Sequence, residues 1–131
     1  KGYCVRENAP VYFTADMDRT CKWFREVLGW YGDIDARNDE GAGVYGCVFD
    51  GADDLTAAQQ TSFPGIHLFA GEPTKGVAGF ILVQGLDALY RRVKDSGWEL
   101  ITEKAPQPWG AMECDVTTPD GCVLRFFEPN A

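Results

Sequence analysis

Apolar and polar residues alternate along most of this chain, and two stretches switch to a helical period. Residues 9–15 (APVYFTA) read as a strand. Asp16 follows as a helix N-cap, and Asp18 adds negative charge in the first turn, where the helix dipole favours it. Apolar groups at Met17, Cys21, Phe24 and Leu28 fall at i, i+4, i+7 and i+11, one buried stripe, and Gly29 ends the helix as its C′ residue. Strands are predicted over 30–37 and 43–49, joined by the turn Asn38-Asp39-Glu40-Gly41. Residues 50–60 (DGADDLTAAQQ) are polar and Ala-rich, an exposed loop with room for a short helical turn. Residues 62–70 contain a fourth strand, and 71–76 (GEPTKG) form a linker with no apolar side chain.

The pattern then starts again. Residues 77–83 (VAGFILV) read as a fifth strand. Leu86, Leu89, Tyr90 and Val93 give an amphipathic helix closed by Gly97. A sixth strand is predicted over 98–103, and 105–110 (APQPWG) is a Pro-bounded loop. Strands seven and eight are joined by Thr118-Pro119-Asp120-Gly121, where Pro119 presets a type I turn and Gly121 supplies the left-handed residue. The last strand places Arg125 and Phe127 on one face, and Leu124 and Phe126 on the other. The order is βαβββ, linker, βαβββ. Asp16-Met17-Asp18 is echoed by Gly85-Leu86-Asp87, 69 positions on, and Gly29-Trp30 by Gly97-Trp98, 68 positions on. The expected fold is α+β: one domain over 1–131, built of paired βαβββ modules at about 9–70 and 77–129 around the linker 71–76. Together the modules form a concave mixed sheet with helices on the outer face and a ligand cleft between the halves.

Composition narrows the functions. With 131 residues, the chain is long enough to bury about two-thirds of its unfolded surface. Hydrophobic residues are 45% and charged residues 24%, ordinary for a globular protein, and there is no membrane-span or signal-peptide pattern. The net charge of −8 disfavours nucleic-acid contact and modestly favours cationic ligands. Five cysteines, Cys4, Cys21, Cys47, Cys114 and Cys122, occur without a CxxC motif. That odd number argues against a disulfide framework or zinc site and for a reducing, cytoplasmic setting. The chain starts Lys1-Gly2 without Met, which reads as a tag remnant or a domain cut from a longer protein.

Three segments resemble the vicinal oxygen chelate superfamily, also called the glyoxalase/bleomycin-resistance/dioxygenase superfamily. The first is 9–30, with Asp16-Met17 where the family has Asp-Leu and Val27-Leu28-Gly29-Trp30 where it has Val-Leu-Gly-Phe. The second is Leu86-Asp87-Ala88-Leu89 followed by Gly97. The third runs from Pro108-Trp109-Gly110 to Thr118-Pro119-Asp120-Gly121 and is similar to the family's Trp-Gly…Asp-Pro-Asp-Gly ending, with Thr118 replacing the first Asp. The resemblance implies four metal-ligand positions, here Ala9 (or Pro10 with a one-residue slip), His67, Ala78 and Arg125. Alanine has no donor atom, and arginine has no lone pair to give. A single imidazole does not hold a catalytic ion that needs about three protein ligands. No metal and no cofactor are therefore expected.

Strand alternation places Val11, Phe13, His67, Phe69, Phe80, Leu82, Arg125 and Phe127 in the cleft, with Trp109 at its mouth. Tyr45 and Phe49 share one face of strand three, and alternation alone does not say which. This set suits a flat aromatic ligand, or one with an apolar body and an anionic group held by Arg125. Alternatively Arg125 pairs with Glu113, Asp115 or Glu128, and the aromatic residues belong to a core. His67 is the one candidate general base, Trp23 and Trp98 read as packing, and no catalytic set is defined. The resemblance implies a metal-independent small-molecule-binding domain, close in character to the bleomycin-resistance branch and paired as a homodimer. Two other family functions remain open: a ligand-sensing domain cut from an AraC-type transcription regulator, and a glyoxalase-type lyase or isomerase.

Overall fold

A computed structural model describes residues 1–5, 8–51 and 65–131. Most of the predicted loop at 50–60, and the start of the predicted fourth strand, lie outside the described residues. The first half runs β1 (Val11–Thr14), α1 (Met17–Trp23), β2 (Tyr31–Arg37), β3 (Gly43–Phe49) and β4 (Gly65–Ala70). The second half runs β5 (Gly76–Leu82), α2 (Leu86–Asp95), β6 (Ala105–Gln107), β7 (Ala111–Thr117) and β8 (Cys122–Pro129). The strands pair as two four-stranded sheets, β1-β4-β3-β2 and β5-β8-β7-β6. In each, the first strand runs parallel to its neighbour and the other pairs are antiparallel. The matching strand orders realise the internal repeat that the sequence carries.

Two elements differ from expectation. The first helix is not one continuous α-helix: after Trp23 it widens into a π-helical turn, Phe24–Leu28. That turn closes on Gly29, whose N–H donates to the Arg25 carbonyl and whose φ of 75° turns the chain so that the Trp30 N–H donates back to the Phe24 carbonyl. Of the expected apolar stripe, Met17, Phe24 and Leu28 are buried and Cys21 is only half-buried, with Thr20, Trp23 and Val27 buried beside them. The sixth strand is also displaced, to Ala105–Gln107. Over residues 98–103 the pairing with β7 is reduced to a single Ile101–Val116 bridge. There the Ile101 N–H turns back to the Glu99 carbonyl, and the Thr102 hydroxyl accepts the Asp115 N–H that a regular ladder would use.

Both sheets turn one face to a common core that also buries the helices. Tyr12, Ile66, Leu68 and Val48 enter it from the first sheet, and Cys114, Val116, Leu124 and Phe126 from the second. Trp30 meets Phe126 edge-on with ring centroids 6.5 Å apart, and Trp23 meets Trp98 at 5.5 Å, so both tryptophans expected to pack join the halves. No helix among the described residues is long and apolar enough to cross a membrane.

Polar contacts fix the same junction. The predicted turn forms as expected: the Gly121 N–H donates to the Thr118 carbonyl, with Gly121 at φ 92°. Asp120 of that turn is almost fully buried, and it accepts from the Thr14 hydroxyl at 2.6 Å and from Arg19 at 2.5 Å. The linker is tied down as well. The Phe13 N–H donates to the Thr74 hydroxyl, and the Thr74 N–H donates to the Phe13 carbonyl.

Glu128, on the core side of β8, caps α2. Its carboxylate accepts from the Gly85 N–H at 2.7 Å and from the Leu86 N–H at 3.1 Å, which removes two unpaired donors and sets negative charge at the helix start. Glu128→Ala is expected to cost about 0.5–2 kcal/mol of unfolding free energy, the range for a lost N-cap. A urea titration reads it, and an unchanged midpoint would show that the two amides find other partners.

Candidate functional site

The faces turned away from the core carry the predicted cleft residues, divided between the sheets. On the first sheet Val11 stands beside His67 and Phe13 beside Phe69, a consequence of the parallel β1–β4 register. The antiparallel β3–β4 register sets Cys47 beside His67 and Tyr45 beside Phe69, which settles the open face of β3. The Tyr45 hydroxyl and His67 Nδ1 share a hydrogen bond of 2.7 Å, and the Tyr45 ring lies 5.0 Å from that of Phe69. Asp33 and Asp35 of β2 border this face. Burial and the neighbouring Asp33 carboxylate push the Asp35 carboxyl above its usual range.

On the second sheet the parallel β5–β8 register sets Phe80 beside Arg125 and Leu82 beside Phe127. The Phe80 and Phe127 rings stack at 4.2 Å with 14° between their planes. Trp109, in the turn before β7, closes on both, at 5.9 Å from Phe80 and 5.5 Å from Phe127. The group opens to solvent at Phe80, 61% exposed, and Trp109, 53%, beside Leu82, 63%, while Phe127 between them is half-buried. Every predicted site residue thus lies on one of the two aromatic faces or at its rim. A groove of about 660 Å³ lies away from both, between α1 and residues 96–98, and is edged by Arg19, Lys22 and Glu26.

Arg125 takes the alternative role weighed from the sequence. Its guanidinium donates to both Asp115 oxygens, at 2.9 and 3.0 Å, and lies 3.2 Å from Glu113. The bidentate bond to Asp115 holds the guanidinium charged even more firmly than usual. Its Nε and Nη2 donors are held by Asp115 and its charge is offset by two carboxylates, so it does not stand as a free cation. The hairpin register carries the signal: a turn over 118–121 places Asp115 directly opposite Arg125.

The donor set does not fit a divalent ion. Ala9 and Ala78 have no donor atom, Pro10 offers only a carbonyl that already accepts the His67 N–H, and Arg125 is cationic and paired. Among the described residues no three His, Cys, Asp or Glu groups gather in a metal-binding arrangement. Four of the five cysteines are poor nucleophiles: burial pushes the Cys21, Cys47, Cys114 and Cys122 thiols up to about 11.

A glyoxalase-related enzyme from Clostridium phytofermentans is 60% identical to this chain, with 98% of each chain covered and a TM-score of 0.91. The chain belongs to the glyoxalase/bleomycin-resistance/dioxygenase superfamily. Within that superfamily, the model of the bleomycin resistance protein domain matches residues 9–71. More distant members of the fold include a bleomycin-binding protein solved with bleomycin, at 19% identity and a TM-score of 0.67 over 96% of this chain and all of that one. Another is an antibiotic-binding protein from a Streptomyces species, at 14% identity and a TM-score of 0.65 over 98% of this chain and all of that one. At such identities the likeness is one of fold. No curated protein matches the chain.

Proposed function

We propose that this superfamily member is a metal-independent small-molecule-binding protein that takes a flat, largely apolar ligand against its aromatic sheet faces and works as a homodimer. The observation that carries the reading is the stacked Phe80–Phe127–Trp109 group on the second sheet, open to solvent at Phe80 and Trp109. Rings in such a group bury much area at small entropic cost when a planar ligand or a second copy covers them. The structural relatives, one solved with bleomycin and one an antibiotic-binding protein, support a binding role, as does the poor metal donor set at Ala9, His67, Ala78 and Arg125. A second copy would add another aromatic face to each open one and enclose the ligand on both sides.

The test is a thermal-shift and fluorescence titration with planar aromatic probes, because a ligand that binds only the native state raises the melting temperature. Saturable binding is expected, and Phe80→Ala with Trp109→Ala is expected to weaken it by about tenfold or more, the scale of losing stacked rings. Binding that survives the double substitution would move the site off this face, and sedimentation reads the dimer alongside. The enzymatic reading draws on the 60% identical relative and on His67, which Tyr45 orients. Turnover of methylglyoxal with a thiol, lost in His67→Ala, would favour it.

A further inference from the structure

We infer that the aromatic site selects planar cations over planar anions, and that the Glu113–Asp115–Arg125 triad sets this preference on the second sheet. The inference rests on the binding role proposed above and names the chemistry of its ligand. Arg125 is the one cation among the predicted site residues, yet it donates to both oxygens of Asp115 and also lies 3.2 Å from Glu113. Two carboxylates against one guanidinium leave the triad with one net negative charge. The register sets these charges beside the rings: Phe80–Arg125–Asp115 form one row across the sheet, and Leu82–Phe127–Glu113 form the next. A planar ligand stacked on Phe80 and Phe127 therefore has carboxylates at its edge.

The first sheet has the same character from different residues. The Val11–His67–Cys47 row ends on β2 at Asp33, and Asp35, in the bulge before the Phe13–Phe69–Tyr45 row ends at Ala36, reaches the Asp33 carboxylate and feels His67. Neither carboxylate has a lysine or arginine within ion-pair distance among the described residues. Whichever faces enclose the ligand, whether within one chain or between copies, the walls are aromatic and the net charge is negative. Faces of aromatic rings attract cations through their quadrupole, so stacking and Coulomb terms favour the same ligand. The overall charge of −8 adds in the same direction by drawing cations toward the protein.

The experiment titrates the full chain with three probes. Proflavine is a planar cation at pH 7, pyrene-1-sulfonate a planar anion, and pyrene its neutral counterpart. Proflavine is expected to bind about tenfold more tightly than the sulfonate at low salt, and to lose most of that margin in 0.5 M NaCl. Arg125→Gln is expected to raise proflavine affinity, whereas Glu113→Gln with Asp115→Asn is expected to reverse the preference. Should unpaired charges unfold those variants, Asp33→Asn with Asp35→Asn supplies the second arm, on an exposed edge strand, with a severalfold loss of proflavine affinity expected. Equal or tighter sulfonate binding that Phe80→Ala abolishes would overturn the charge preference while leaving the aromatic site in place. Failure of all three probes to bind would overturn the aromatic site and this inference together.

Discussion

Replacing Phe126 by alanine is expected to lower the unfolding free energy by about 3–5 kcal/mol, the cost of emptying a large aromatic position in a packed core. Phe126 is 0% exposed. It stands opposite Cys114 on β7 and beside Ile81 on β5, and it meets the Trp30 ring from the other half of the chain. The cavity would open where the two halves join, and side chains fixed by two sheets have little freedom to close it. Urea denaturation followed by tryptophan fluorescence measures the loss. Phe127→Ala, one residue on, is expected to cost less, about 1–2 kcal/mol, since Phe127 is only half-buried and loses its stacking with Phe80 along with that partial burial. It should instead abolish planar-probe binding. A stability loss as large as that of Phe126→Ala would show that the outer face is packed in the folded protein and not open to a ligand.

Asp120→Ala is expected to cost about 1.5–3 kcal/mol, the scale of hydrogen bonds to a charged acceptor. The carboxylate is only 7% exposed, and it joins Thr14 at the end of β1 and Arg19 on α1 to the β7–β8 turn. Thr14 in turn shares a 2.6 Å hydrogen bond with the buried Thr20 hydroxyl. Loss of the carboxylate leaves the two hydroxyls bonded to each other and removes the buried acceptor that ties them to the turn. Arg19, which is half exposed, recovers water and contributes less. Asp120→Asn keeps an acceptor for one partner and is expected to lose about half as much. Guanidinium or urea unfolding separates the two variants. Equal losses would mean that the negative charge, and not the hydrogen-bond geometry, holds the turn against the first half.

The elements built from local chemistry were legible in the chain. Asp16 accepts from the Arg19 N–H as an N-cap, and the Thr118-Pro119-Asp120-Gly121 turn closes as its residues require. Alternation on β8 separates Leu124 and Phe126, buried, from Arg125 and Phe127 on the open face. The π-helical turn was not legible, because it depends on how Phe24, Val27 and Leu28 meet a core from both halves. The displaced sixth strand turned on the Thr102 hydroxyl competing for a ladder hydrogen bond, which β-propensity does not report. Asp33 and Asp35 passed unnoticed as site residues. Their alternation with Ile34 marked an open face, but only the β2–β3–β4 register brings that face to His67.

The sequence by itself determined the repeat, the strand and helix order, and the aromatic character of the site, since each follows from periodicity and turn residues within a few positions. It also determined that three of the four family metal positions lack a usable donor. Only the tertiary structure decided which faces the two sheets bury together, that Glu128 caps a helix start 42 residues earlier, and that Arg125 is paired. Those outcomes depend on distances between groups far apart in the chain, which packing and register set. They reverse the electrostatic reading of the site: the guanidinium that suggested an anionic ligand is neutralised by its own strand neighbour, and the face around it is left negative.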